Sequence, residues 1–153
     1  RLEEVAAWAA ESGAWLNVEL KAAGAEAASL VALEQAGVLE RTLFSSFLPA
    51  VVAEVGRLAP AVRRYLLTER WNAQVREVAA SVGAGGICLA DRAATEPALR
   101  EVAQAGLPVV VWTVDDAVRI DALLRAGVAA IITNLPARAV AARRALAQGL
   151  PPP

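Results

Sequence analysis

The chain has no histidine. That removes the commonest general acid–base group and the commonest transition-metal ligand from its own side chains. It also has no methionine, so as given it does not begin at a translational start. Arg1-Leu2-Glu3-Glu4 is no signal peptide either. The expectation is an internal starting point: a processed chain, a fragment, or the ordered part of something longer. Cys88 is the single cysteine and sits in an apolar run, which excludes an internal disulfide and predicts a buried, inert thiol. Long hydrophobic runs are missing too. Residues 107–112 form one of the longest, far below the ~20 residues of a membrane helix. A net charge of −1 gives no reason to expect nucleic acid or an anionic membrane as partner. With no targeting segment in view, a cytoplasmic location is expected.

What is present is apolar and evenly spread: 153 residues, 57% hydrophobic and 20% charged, with mean hydropathy +0.45. That length fits one domain with a sizeable core. Its sharpest local signal is Asn17-Val18-Glu19-Leu20-Lys21. Apolar Leu16, Val18 and Leu20 alternate with polar Asn17, Glu19 and Lys21, the period-two pattern of a β-strand. One face then carries Asn17, Glu19 and Lys21 together. Two opposite charges on a strand otherwise built for burial are costly, and they make sense where a strand end opens onto a polar site. A carboxylate there can hold a hard metal ion, and an ammonium can hold an anion such as phosphate. An ordinary ion pair on a solvated face of the sheet is the competing reading.

Along the rest of the chain, helical and strand signals alternate. A helix opens the sequence and stops at Ser12-Gly13. Strands are predicted at 15–20, 41–46, 62–67, 87–90, 107–114 and 128–133. Helices are predicted at 25–36, from Pro49 to about 58, from a Thr68 cap through 82, from Thr95 to 106, from Asp115 to 127, and from Pro136 through 147. Gly83-Ala84-Gly85-Gly86 precedes a strand, so it is a turn and not a phosphate-binding fingerprint. Regular βα alternation with short connections calls for a parallel sheet. Two architectures compete: an open doubly wound sheet, and part of a (β/α)8 barrel, which needs eight strands and typically ~250 residues. In both, ligands bind at the carboxyl ends of the strands, where Glu19, Lys21, Ser46, Asp91, Trp112, Thr113 and Asn134 fall. By alternation, Val110 or Val111 and Ile131 or Ile132 should face the barrel interior. Asp91 and Arg92 read as a solvated loop, and Ser46 reads first as the partner of a strand-end backbone group.

Several segments resemble one family in the order in which that family carries them. Leu2-Glu3-Glu4-Val5 looks like its Pro-Thr-Leu-Glu-Glu-Val helix start. Leu16-Asn17-Val18-Glu19-Leu20-Lys21 looks like its Leu-Asn-Ile-Glu-Leu-Lys strand. Ser45-Ser46-Phe47 looks like its Ser-Ser-Phe, and Trp112-Thr113-Val114-Asp115 is similar to its Trp-Thr-Val-Asn. Gly127-Val128 through Ile131-Ile132-Thr133-Asn134-Leu135-Pro136 is similar to its Gly-Val-Asp-Gly-Ile-Ile-Thr-Asp-X-Pro. The family is that of the glycerophosphodiester phosphodiesterases. The resemblance implies a (β/α)8 TIM barrel of which this chain holds the last six βα units, as a partial barrel domain at 1–149 followed by a Pro-rich tail at 150–153.

The departures are as informative. The family's His-Arg-Gly and Glu-Leu-Asp strands and its His-Asp segment, with two acid–base histidines and two of three metal carboxylates, have no counterpart here; the resemblance implies that their place would be before Arg1. Asp115 stands where the family has Asn, and Asn134 where it has Asp. The resemblance implies that Glu19 is the third metal carboxylate, for a divalent ion (Ca²⁺ or Mg²⁺), and that Lys21 steadies the phosphodiester and its transition-state charge. Trp112 and Ser46 become candidate substrate contacts. The implied reaction of the complete protein is metal-dependent hydrolysis of a glycerophosphodiester to glycerol 3-phosphate and an alcohol. The alternative is a truncated or non-catalytic barrel used as a binding or assembly module. Six strands of eight leave two open edges, so the expected partners are the missing N-terminal strands or another copy of the chain, besides the small-molecule substrate.

Overall fold

The computed structural model describes residues 1–149, so the Pro-rich tail expected at 150–153 lies outside the described residues. Helices and strands alternate: α1 (Leu2–Ser12), β1 (Leu16–Glu19), α2 (Glu26–Gln35), β2 (Thr42–Ser46), α3 (Pro49–Leu58), β3 (Arg63–Thr68), α4 (Ala73–Ser81), β4 (Gly86–Ala90), α5 (Glu96–Gln104), β5 (Val109–Trp112), α6 (Ala117–Arg125), β6 (Ala130–Ile131) and α7 (Pro136–Ala147). Strand order follows chain order from β1 to β6, and every strand is followed by a helix. That is the β/α-barrel pattern; a doubly wound sheet would reverse its strand order at a switch point. No described helix is long and apolar enough to cross a membrane.

The fold divides into two compact units. The first comprises residues 1–67 and 76–85. In it β1 pairs with β2 and β2 with β3, all parallel. Its core joins Ala6 and Ala9 of α1, Leu30 and Leu33 of α2, Phe44 of β2, and Val51 and Val55 of α3. Gly13, at φ 73°, ends α1 in the left-handed conformation and returns its N–H to the Ala9 carbonyl. Arg64 of β3 lies across α3 at Gly56; a Cβ there would stand 2.8 Å from the Arg64 Cζ. The guanidinium donates to the carbonyls of Pro60 and Val62.

The second unit comprises residues 68–75 and those from 86 onward. β4 pairs with β5 and β5 with β6, again parallel. Ile87, Leu89, Val102, Val111, Ile120 and Leu123 are almost wholly excluded from solvent, and so is Cys88, as its apolar run predicted. Leu89, Val111 and Ile131 share one face of this sheet, and Cys88, Val110 and Ala130 the other.

β1, β2, β5 and β6 are shorter than the sequence pattern suggested, β3 is as long and β4 one residue longer. β6 holds only Ala130–Ile131: the Val128 N–H turns back to the Leu123 carbonyl of α6, although the Ile132 N–H still reaches the Val111 carbonyl of β5. Two cap assignments also move. Thr68 closes β3 and turns its hydroxyl to the Arg70 carbonyl, while Asn72 takes the Val75 N–H at the start of α4. Asp116, not Asp115, caps α6 by accepting from the Arg119 N–H at 2.8 Å.

Candidate active site

In the first unit, register decides which side chains meet. Glu19 lies beside Ser45 and Ser45 beside Tyr65; one row below, Asn17 lies beside Leu43 and Leu43 beside Arg63. Residues abreast on parallel strands share a face, and alternation puts both rows on the same face. The Ser45 hydroxyl donates to Asn17 Oδ1 at 3.0 Å. Lys21 follows β1, and its Nζ stands 3.3 Å from Glu19 Oε1, so the two charges lie on one side as the alternation predicted. Lys21 is 79% exposed and Glu19 33%. A pair this open contributes about 0–1 kcal/mol, so neither charge is committed to the other.

The backbone between these charges is fixed much more firmly. Leu20 is buried, its N–H donates to the Ser45 carbonyl at 2.9 Å, and its carbonyl accepts from the Ser46 hydroxyl at 2.6 Å. The same hydroxyl accepts from the Leu48 N–H at 3.1 Å. Ser46 is 1% exposed. Ser46 is the partner of strand-end backbone groups, the first of its two readings from the sequence: its oxygen is engaged by backbone on both sides and the residue is almost wholly buried. Ser46 anchors the peptide that carries Glu19 and Lys21. Ser45 is the serine on the Glu19 face.

Trp112 belongs to the second unit, where it ends β5 half-buried and gives its indole N–H to the Cys88 carbonyl at 3.1 Å. Three residues later the Asp115 carboxylate accepts from the Thr133 hydroxyl (2.8 Å), the Asn134 N–H (2.7 Å) and the Asn134 side-chain amide (2.8 Å). The Asn134 amide, then the Thr133 hydroxyl and the Asn134 N–H, hold the Asp115 carboxyl below its ordinary value, and the charge of Arg138 adds a smaller push the same way. The two departures from the family pattern, Asp115 and Asn134, are therefore each other's partners.

Asp91 is more than a solvated loop residue. It accepts from Arg119 Nε at 2.7 Å in a part-buried pair, and Arg119 also donates to the Ala94 carbonyl. Arg92 pairs with Glu69 at 2.6 Å. These ties fasten the loops that follow β3 and β4. Nothing local in the sequence marks them, since each joins residues more than 20 positions apart.

Among the described residues no group of three His, Cys, Asp or Glu side chains could hold a metal ion. Glu19 is a hard carboxylate donor, but a divalent ion of the Ca²⁺ or Mg²⁺ kind needs six or more oxygens, and the nearest charge to Glu19 is an ammonium. The described residues thus fit as one donor of a set and do not make a metal site by themselves.

Sequential parallel strands, each followed by a helix, with polar groups gathered at strand carboxyl ends, define a chain of the β/α-barrel class. Residues 10–138 match the sequence model of the Glycerophosphoryl diester phosphodiesterase family, and the chain belongs to that family. It is 29% identical over 147 residues to the uncharacterised protein YqiK of Bacillus subtilis (strain 168), covering 92% of this chain and 60% of that protein. A crystal structure of a Silicibacter pomeroyi DSS-3 protein assigned to the glycerophosphoryl diester phosphodiesterases superposes with TM-score 0.84 at 26% identity, over 98% of this chain and 57% of the other. A phosphodiesterase of Oleispira antarctica, solved with the product sn-glycerol-3-phosphate, shares the fold with TM-score 0.83 at 24% identity, over 92% of this chain and 60% of the other. The chain therefore spans about three-fifths of the length of the relatives it matches.

Proposed function

We propose that the complete protein hydrolyses glycerophosphodiesters to glycerol 3-phosphate and an alcohol, and that Lys21 and Glu19 are its contribution from β1. The supporting observation is the geometry of that pair: an exposed ammonium and a carboxylate on one side of a strand end, loosely joined, on a peptide anchored by Leu20 and Ser46. A phosphodiester carries one negative charge over its non-bridging oxygens, and more charge gathers there as water adds to phosphorus. Lys21 meets that charge, and its stabilisation grows toward the transition state. The bond between phosphorus and the alcohol oxygen breaks, water supplies the new oxygen, and a proton goes to the departing alkoxide. The chain has no histidine, so that proton is assigned to a group from outside these 153 residues. Glu19 gives one carboxylate to a divalent ion, Ca²⁺ or Mg²⁺, whose remaining ligands come from elsewhere in the protein; the ion would supply Lewis acidity and positioning. Trp112 offers substrate an aromatic face.

The experiment is release of glycerol 3-phosphate from a glycerophosphodiester by the complete protein, with and without chelator. Release that chelator abolishes and Mg²⁺ or Ca²⁺ restores is the expected result. No release from any glycerophosphodiester, with the protein folded, would replace this reading by that of a binding module.

A further inference from the structure

We propose that Asp115 and Asn134 form a two-part clasp that positions Trp112, and that the clasp requires one carboxylate and one amide, in either order. The inference rests on the reading above only in taking Trp112 as a substrate contact; the clasp itself stands on bonds within the second unit. Trp112 is held at its indole by the Cys88 carbonyl. Past it, the chain leaves β5 and is tied to the segment after β6 at two successive points. The Val114 N–H donates to the Ile132 carbonyl at 3.0 Å. The Asp115 carboxylate then takes three donors from Thr133 and Asn134. Two further bonds stiffen the frame: the Leu135 N–H donates to the Thr133 hydroxyl at 3.0 Å, and Arg138 donates to the Asp115 carbonyl at 3.3 Å. The segment that carries Trp112 is thus tied at its indole and again two and three residues further on. Asp115 and Asn134 act through Trp112 and touch no substrate themselves.

The pairing rule follows from donor and acceptor counts. A carboxylate accepts only and an amide both donates and accepts. Asp115 with Asn134 gives one anion facing one NH2 donor. Exchanging the two residues keeps one anion and one NH2 group and reverses the direction of the bond between them. Two carboxylates would face each other as like charges with no donor between them. Two amides keep a side-chain bond but replace the charge-assisted bonds of the anion by weaker neutral ones.

The test uses the complete protein with Asp115→Asn, Asn134→Asp and the exchange Asp115→Asn/Asn134→Asp. One readout is the 19F resonance of Trp112 in protein carrying 5-fluorotryptophan, assigned by its loss in Trp112→Phe. The other is KM and kcat for glycerophosphodiester hydrolysis. Asn134→Asp is expected to shift or broaden the Trp112 resonance and raise KM about tenfold, Asp115→Asn to do less of both, and the exchange to return both to within about threefold of the parent. A merely structural role would lower thermal stability and active fraction at unchanged KM. If Asn134→Asp does not fold, Thr133→Val removes one donor to Asp115 together with the acceptor of the Leu135 N–H, and its Trp112 resonance must move while the Trp8 and Trp15 resonances stay. An unmoved Trp112 resonance in the single variants, or an exchange variant as disturbed as the sum of the two, overturns the clasp. If the parent releases no glycerol 3-phosphate, the proposed activity fails while the resonance still decides the clasp.

Discussion

Two of the carboxylates at strand carboxyl ends, Glu19 and Asp115, are treated in opposite ways. Glu19, after β1, has an ammonium at 3.3 Å that is itself 79% exposed. Asp115, after β5, accepts from three neutral donors between 2.7 and 2.8 Å, two on Oδ1 and one on Oδ2. The first is loosely held on a firmly held peptide; the second is the thing that does the holding. A carboxylate that already takes three donors has less left to offer a ligand, whereas one with a single loose neighbour on a fixed backbone is preorganised for something that arrives later. The donor count around each carboxylate thus separates a group available for chemistry from a group that shapes the loop.

The largest expected effect breaks the first half of this contrast. In the complete protein, Lys21→Ala should lower kcat for glycerophosphodiester hydrolysis by about 100-fold or more, in the range seen when one preorganised charge-stabilising donor is removed. Its metal titration should not move. Glu19→Gln should lower metal affinity and turnover together, because it removes a ligand and not only a charge on the substrate side. A Glu19→Gln variant with an unchanged metal titration would contradict the ligand role.

Next in size is the peptide that carries both charges. Ser46→Ala leaves the Leu20 carbonyl without its donor and the Leu48 N–H without its acceptor, costing about 1–3 kcal/mol of stability as expected for a buried partner left unsatisfied. Turnover should fall with it, since the Glu19–Lys21 peptide loosens. Ser45→Ala loses one bond to Asn17, an exposed side chain that can turn to water, and should cost about 1 kcal/mol or less. Denaturant midpoints of the two variants decide the order; equal midpoints would mean that Ser46 is no anchor.

The fold was legible because its signals are local. Gly13, Pro49, Thr95 and Pro136 each mark an element boundary by their own backbone chemistry, and they mark it in the structure. The Glu19–Lys21 pairing was legible for the same reason, since alternation over three residues fixes it. What could not be read is register. Whether Ser45 or Ser46 shares the face of Glu19 depends on how β2 slides against β1, and a one-residue slip reverses the answer. Asp115 reads as a helix cap because Asp before an apolar periodic stretch usually is one; its neighbour Asp116 takes that role, and Asp115 reaches 19 residues along the chain to Asn134. One signal did point there: two departures from a family pattern that exchange Asp and Asn between them.

A smaller effect concerns the support of the first unit. Gly56 lies inside α3, where alanine is normally better than glycine by about 1 kcal/mol. Here the added Cβ overlaps the Arg64 guanidinium, and Arg64 must give up its bonds to the Pro60 and Val62 carbonyls. Gly56→Ala should therefore destabilise the protein by about 1 kcal/mol, each lost bond being of about that size. In an Arg64→Ala background the same substitution should stabilise by about 1 kcal/mol, the propensity term acting alone. Chemical denaturation of the four variants gives the sign in each background; the same sign in both would show that the two residues do not compete for space.

The smallest effect sharpens the second half of the contrast, and it is read in pH. The folded-state pKa of Asp115 lies below its ordinary value, chiefly because of the Asn134 amide. The unfolded chain then binds more protons than the folded one between the two values, so stability rises with pH across that window. The contribution of Asp115 is fully present above the ordinary carboxylate range, near 4, and is lost as pH falls through the folded-state value. The difference in thermal midpoint between the parent and Asp115→Asn should hold constant from neutral pH to about pH 5 and shrink toward pH 3. Glu54 provides the comparison. Its pKa is also lowered, by the hydrogen bond from Arg57 three residues on, but its partner is a charged and largely exposed guanidinium. Ionic strength of about 1 M brings the Debye length down to about 3 Å and weakens an exposed ion pair, and neutral donors at fixed short distances are screened far less. The Glu54→Gln difference should therefore fade in high salt while the Asp115→Asn difference persists. A difference at Asp115 that grows on acidification, or that salt removes, would mean that its charge is held by Arg138 and not by the donors of Thr133 and Asn134.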